Sequence, residues 1–111
     1  MDVELDIFSG RPNPRWSLAE PQNERVLSLI ASLQPTTALP PQIPGLGYRG
    51  FLIEHGGQKI RAFCGFIKCR EGTFSDPNLS IECGLKESMP VEFEALKSLL
   101  GSAICSQTGD K

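Results

Sequence analysis

The chain has 111 residues, 40% of them hydrophobic and 22% charged, with a formal net charge of −2. That length supports one domain with its own buried core, and the near-neutral charge excludes a generic polyanion binder, so no nucleic-acid partner is expected. No apolar stretch approaches the roughly 18 residues of a membrane span, and Met1-Asp2-Val3-Glu4-Leu5-Asp6 has neither the cationic start nor the apolar run of a signal peptide; the expectation is a soluble cytoplasmic protein with no membrane partner.

Val3, Leu5 and Ile7 alternate with Asp2, Glu4 and Asp6, the period-two pattern of a half-buried strand. Phe8 breaks the alternation, and Ser9-Gly10 permits a sharp turn. The segment Arg11-Pro12-Asn13-Pro14-Arg15-Trp16 follows, with two of the nine prolines and the single tryptophan. Each proline fixes its own φ and pushes the residue before it into extended geometry. The segment therefore reads as a stiff, polyproline-like connector between the first strand and the first helix.

Ser17 with Glu20 three residues on forms a capping-box pattern. The alternative start lies near Glu20, with Pro21 at the first helical position. Val26, Ile30 and Leu33, widened by Leu27 and Leu29, supply an apolar helical stripe that ends near Gln34, before Pro35. Residues 35–47 form a proline-rich connection, and Pro41-Gln42-Ile43-Pro44 has the PxxP spacing of polyproline ligands. The simpler reading is a semi-rigid surface link.

Gly56-Gly57 marks a hairpin between a strand over 48–55 and a return strand over 58–68. A two-residue turn sets the register, pairing His55 with Gln58, Glu54 with Lys59, Ile53 with Ile60, Leu52 with Arg61 and Phe51 with Ala62. Phe51, Ile53, Ile60, Ala62, Cys64 and Phe66 then form the core side. Tyr48, Leu52, Phe63 and Ile67 lie on the other face, a candidate homodimer or binding surface unless the C-terminal segment covers it. Residues 69–76 read as loop. Asp76-Pro77 resembles a helix start and predicts a helix over 77–87, although Leu79, Ile81, Cys83 and Leu85 also alternate as a strand would. Pro90 opens a further helix carrying Phe93, Leu96 and Leu100, with Gly101 as its stop and 102–111 as a frayed tail. The fold class is α+β: a small three-stranded antiparallel sheet, one strand plus the hairpin, with two to three helices on one face of a single domain over 1–101.

Glu4-Leu5-Asp6-Ile7-Phe8-Ser9-Gly10-Arg11-Pro12-Asn13-Pro14, with Trp16, resembles a signature of small bacterial and fungal proteins of unassigned function. Those proteins also carry a segment similar to Pro44-Gly45-Leu46-Gly47-Tyr48-Arg49-Gly50-Phe51. In them the segment similar to 76–88 looks helical, with an aromatic where this chain has Gly84. The resemblance implies no activity and assigns no functional residue.

The four cysteines, Cys64, Cys69, Cys83 and Cys105, form no C-x-x-C pair, and His55 is the single histidine. Free thiols are expected ahead of zinc ligation or disulfides, and no metal or cofactor is expected. Gly45-x-Gly47-x-x-Gly50 matches the dinucleotide fingerprint only in letters, because it precedes a strand where the fingerprint follows one. The remaining candidates are Arg11, Asn13, Arg15, Trp16, Tyr48 and Arg49, whose guanidiniums and amide suit an anion and whose indole suits stacking. The plain alternative is structural, with Asn13 holding the turn and Trp16 filling the core. His55, oriented by Asp6 or Glu54, is a weak candidate base, and its place at the hairpin turn favours solvent. The leading expectation is a non-enzymatic binding module for a small anionic ligand or a protein partner. The alternative is a small isomerase, cyclase or lyase, with Arg11 and Arg49 holding the substrate's charge and His55 or Asp6 moving a proton.

Overall fold

The computed structural model describes residues 1–45 and 47–103. Along the described chain the strands are β1 (Asp2–Leu5), β2 (Arg15–Ser17), β3 (Gln34–Pro35), β4 (Phe51–His55), β5 (Gln58–Phe63), β6 (Phe66–Cys69) and β7 (Gly72–Ser75). The helices are α1 (Gln22–Ala31), α2 (Ser80–Glu87) and α3 (Glu94–Ala103), the last preceded by one 3₁₀ turn at Val91–Phe93. The strands make one antiparallel sheet in the order β2-β1-β4-β5-β6-β7-β3.

The α+β class and the antiparallel sheet agree with the sequence. The strand count does not: the described sheet has seven strands where three were expected. Part of the difference lies in the expected return strand over 58–68. It reverses at Cys64-Gly65, where both residues take positive φ (49° and 82°). Apolar residues run through this turn, and a left-handed cysteine is rare enough that nothing marked the break. The expected loop over 69–76 is the next hairpin, β6 and β7 around Arg70-Glu71. The remaining strands, β2 and β3, each lie beside proline and at an edge of the sheet, where a missing donor leaves no gap in the ladder.

The five expected pairs of the Gly56-Gly57 hairpin are all present. They extend into a row across the sheet, Leu5–Phe51–Ala62–Ile67–Phe74. A second row runs Trp16–Val3–Ile53–Ile60. Val26 of α1, Ile81 and Leu85 of α2, and Leu100 of α3 join these rows in one core. The turn at Cys64-Gly65 puts Ile67, rather than Phe66, among the fully buried residues. It also removes the expected free face. Tyr48, Phe63 and Ile67 are buried within the chain itself, with Tyr48 packed on both Phe51 and Phe63. The proposed homodimer surface therefore keeps only Leu52 partly exposed.

The helix starts also differ from expectation. Ser17 is no cap. It lies in β2, and its hydroxyl donates to Asp2. The Glu20 carboxylate instead accepts from the Glu24 backbone and the Asn23 amide ahead of α1. Residues 80–87 are helical, but the N-cap position is Leu79 and not Asp76, which lies three residues further out and accepts the Ile81 N–H at 2.8 Å. Pro77 lies in the turn before α2 rather than inside it. The helix expected to stop at Gly101 runs to Ala103, two residues into the tail expected over 102–111, and the rest of that tail, 104–111, lies outside the described residues. Among the described residues no helix is long and apolar enough to cross a membrane.

Candidate functional site

Asp6 follows β1 on the same side as Glu4, on the face of the sheet away from the helices. Its Oδ1 accepts from Arg49 Nε at 3.1 Å, and its Oδ2 from Arg61 Nη1 at 2.9 Å. Arg49 also donates to the carbonyls of Gly45 and Phe8, and Arg61 to the carbonyl of Arg49. Asn13 completes the cluster. Its Oδ1 accepts from the backbone N–H groups of Ile7 and Phe8, and its Nδ2 donates to Glu4 and Asp6. Backbone bonds from Asp6 N to Gly50 O and from Arg49 N to Asp6 O close the arrangement.

The two stretches that stood out in the sequence therefore meet here, through Asp6 and Asn13 of the first and Arg49 of the second. Burial raises the Asp6 pKa. The hydrogen bonds from Arg61 and Arg49, with the attraction of their charges, outweigh it and hold the carboxyl below its ordinary value of 3.8. A carboxylate stabilised in this way is ionised at neutral pH and is a weak base.

A second carboxylate organises the helix side. Glu82 is 1% exposed and accepts from the Tyr48 hydroxyl, from Cys64 N–H and from Gly65 N–H. Successive left-handed residues aim adjacent N–H groups to one side, a concavity suited to an anion. Here the anion is the chain's own side chain. Neither Glu82 nor Arg61 was singled out in the sequence. Glu82 sits in the first turn of α2, where an acidic residue is ordinary on a solvated face, and the signal for Arg61 was only its place opposite Leu52.

The structure disperses the other sequence candidates. Trp16 lies in the core between Phe51 and Phe93, its indole N–H donating to Ser88 Oγ at 3.0 Å. Tyr48 is buried against Glu82. Arg11 is exposed and stacks 3.8 Å above the Phe8 ring. Arg15 is 64% exposed and reaches Glu4 only at 3.8 Å. His55 is exposed at the end of β4, four residues beyond Phe51 and thus at the opposite end of that strand from Asp6 and Arg49. His55 and Asp6 are not brought together.

Between the 8–15 loop and the start of α3 runs an open groove of about 490 Å³. Phe8, Pro12, Pro14, Phe93 and Leu96 give it an apolar lining, and Arg11 and Arg15 stand on it. Among the described residues no cluster of histidine, cysteine and carboxylate side chains could hold a metal ion. Cys69 and Cys83 are free thiols, and burial pushes the Cys69 thiol above its ordinary value of 9.0. Cys105 lies outside the described residues. No family model, curated protein or solved structure matches this chain.

Proposed function

We propose that the protein is a non-enzymatic binding module whose ligand lies in the groove between the Phe8–Arg15 loop and α3. One observation carries this reading. Arg11, stacked on Phe8, and Arg15, in a loose 3.8 Å ion pair with Glu4, both border an apolar groove. Arg49, by contrast, is spent on Asp6 and on two loop carbonyls. An apolar lining with cations at its rim suits a ligand with a ring or alkyl body and a carboxylate or similar anionic group. Pro12 and Pro14 hold the loop stiff, so little entropy is lost when a ligand binds to it.

Trp16 reports on the site, because its ring lies 6.1 Å from that of Phe93 in the groove lining. Titration with an aryl carboxylate such as naphthoate is expected to change Trp16 fluorescence saturably. Arg11→Ala with Arg15→Ala is expected to weaken that binding by about tenfold. A response that is linear in ligand, or one unchanged in the double variant, would sink the reading.

A further inference from the structure

The face of the sheet away from the helices carries its charges in rows. One row runs Arg15, Glu4, Leu52, Arg61, Lys68 and Thr73. The next runs Ser17, Asp2, Glu54 and Lys59. Arg61 opposes Lys68 across the β5–β6 pair, and Lys59 of β5 and Arg70 of the turn after β6 line the same groove. Lys59, Arg61, Lys68 and Arg70 thus form one block of cations. Like charges directly opposite on antiparallel strands are destabilising, so this block is not what folding alone would favour. Among the described residues neither Lys68 nor Arg70 has an ion-pair partner. Arg61 uses Nη1 for Asp6 and for the Arg49 carbonyl, while its Nε and Nη2 make no hydrogen bond among the described residues.

The block lines an open groove of about 460 Å³, and Leu52 with Ile43 from the proline-rich connection supplies an apolar wall. We propose that this groove binds a small, multiply phosphorylated ligand, its phosphates held by Lys59, Arg61, Lys68 and Arg70 and its apolar part set against Ile43 and Leu52. Cross-strand neighbours stand about 5 Å apart and same-face neighbours along a strand about 7 Å apart. Long cationic side chains rooted at such spacings around one groove can reach one short polyphosphate. Two arginines in the set add the planar donor geometry that phosphate oxygens accept in pairs. The groove volume falls in the range of small-molecule sites, about 300–1,000 Å³.

A long polyanion fits less well. Asp2, Glu4 and Glu54 form an acidic stripe on the two strands beside the block, and the whole chain carries a net charge of −2. A duplex or an extended acidic peptide that overran the block toward β1 would meet that stripe. The site shares no lining residue with the groove at Arg11 and Arg15.

The test is calorimetric titration of the full chain with inorganic triphosphate and with ATP, without divalent cations and at two salt concentrations. The expected result is one-to-one binding of both, with ATP at least as tight as triphosphate, and weaker binding at higher salt. Lys68→Glu and Arg70→Glu, both exposed and outside the Asp6 cluster, are each expected to weaken binding by about tenfold or more, and Arg11→Ala with Arg15→Ala is expected to leave it unchanged. Absence of binding by both probes, affinities unmoved by the two charge reversals, or tighter binding of a glutamate-rich peptide than of ATP would overturn the proposal.

Discussion

Asp6 is the residue on which the two loops and the first strand depend together. Its carboxylate neutralises two guanidiniums, and its side chain and both arginines are largely shielded from water, at 14%, 14% and 27% exposure. Asp6→Asn leaves those guanidiniums with a neutral acceptor in place of a charged one. The expected loss is about 2–3 kcal/mol, read as a lower denaturant midpoint. The pH dependence follows from the direction of the shift. The folded pKa lies below the ordinary value, so this contribution is complete above the unfolded pKa of about 3.9 and is lost as pH falls through the folded one. Relative to the parent chain, the Asp6→Asn variant should therefore lose less stability between about pH 5 and pH 2. Equal slopes in the two proteins would show that Asp6 is not the linked group. Glu82 is the matching residue on the helix side. Glu82→Gln sets an amide donor against one of its donors, the Tyr48 hydroxyl or a backbone N–H, and should lower stability by about 2 kcal/mol in urea titration. An unchanged midpoint would mean that the buried carboxylate does not hold the Cys64-Gly65 turn.

At the scale of elements, two glycines make opposite predictions. Gly84 lies inside α2, and a Cβ built there meets nothing within 4 Å. Gly84→Ala should raise stability by about 0.5–1 kcal/mol, because alanine loses less backbone freedom in a helix and no neighbour has to move. Gly50 leads into β4 with φ +101°, and a Cβ there would stand 2.4 Å from the Ala62 carbonyl oxygen. Gly50→Ala should lower stability by more than about 2 kcal/mol through backbone strain and the parting of β4 from β5. Thermal unfolding of the two variants, scanned with the parent, checks both signs. The elements also account for the misread strands. Pro12 and Pro14 marked a stiff connector and Pro35 the end of a helix; the structure places β2 and β3 there, at the two sheet edges, where a missing donor leaves no gap in the ladder.

For the whole molecule, the apolar rows of the sheet and the buried residues of all three described helices form one cluster. A single core in a chain of 111 residues should unfold in one step. Trp16 joins β2 to the helix side through Phe93 and Ser88, so its fluorescence should report the same event as helix loss. Coincident transitions by fluorescence and far-ultraviolet dichroism are expected, and a separate earlier helix transition would show that the layers are independent. The charged face belongs to this scale as well. Its acidic stripe and basic block are each scattered along the chain, at 2, 4 and 54 and at 59, 61, 68 and 70, and only the sheet order gathers them.

Local chemistry was legible in the sequence. Alternation in 2–6, the register of the Gly56-Gly57 hairpin and the helical stripes of α1 and α3 all follow from neighbours a few residues apart, and each is present. Asn13 holds the turn before it, its Oδ1 accepting from the Ile7 and Phe8 N–H groups, which is the structural alternative read from the sequence. What the tertiary structure decided is which of those groups the fold consumes. Arg49 and Arg11 look alike in one dimension. A carboxylate forty-three residues away takes the first, while the second is left on an open groove. Trp16 and Tyr48 were plausible ligand contacts until the helices closed over them. The physical reason is common to all of these cases. A hairpin or a cap is stabilised by contacts within a few residues, whereas the partner of a charge or an aromatic ring is set by strand order and by the turn at Cys64-Gly65, which no local pattern announces.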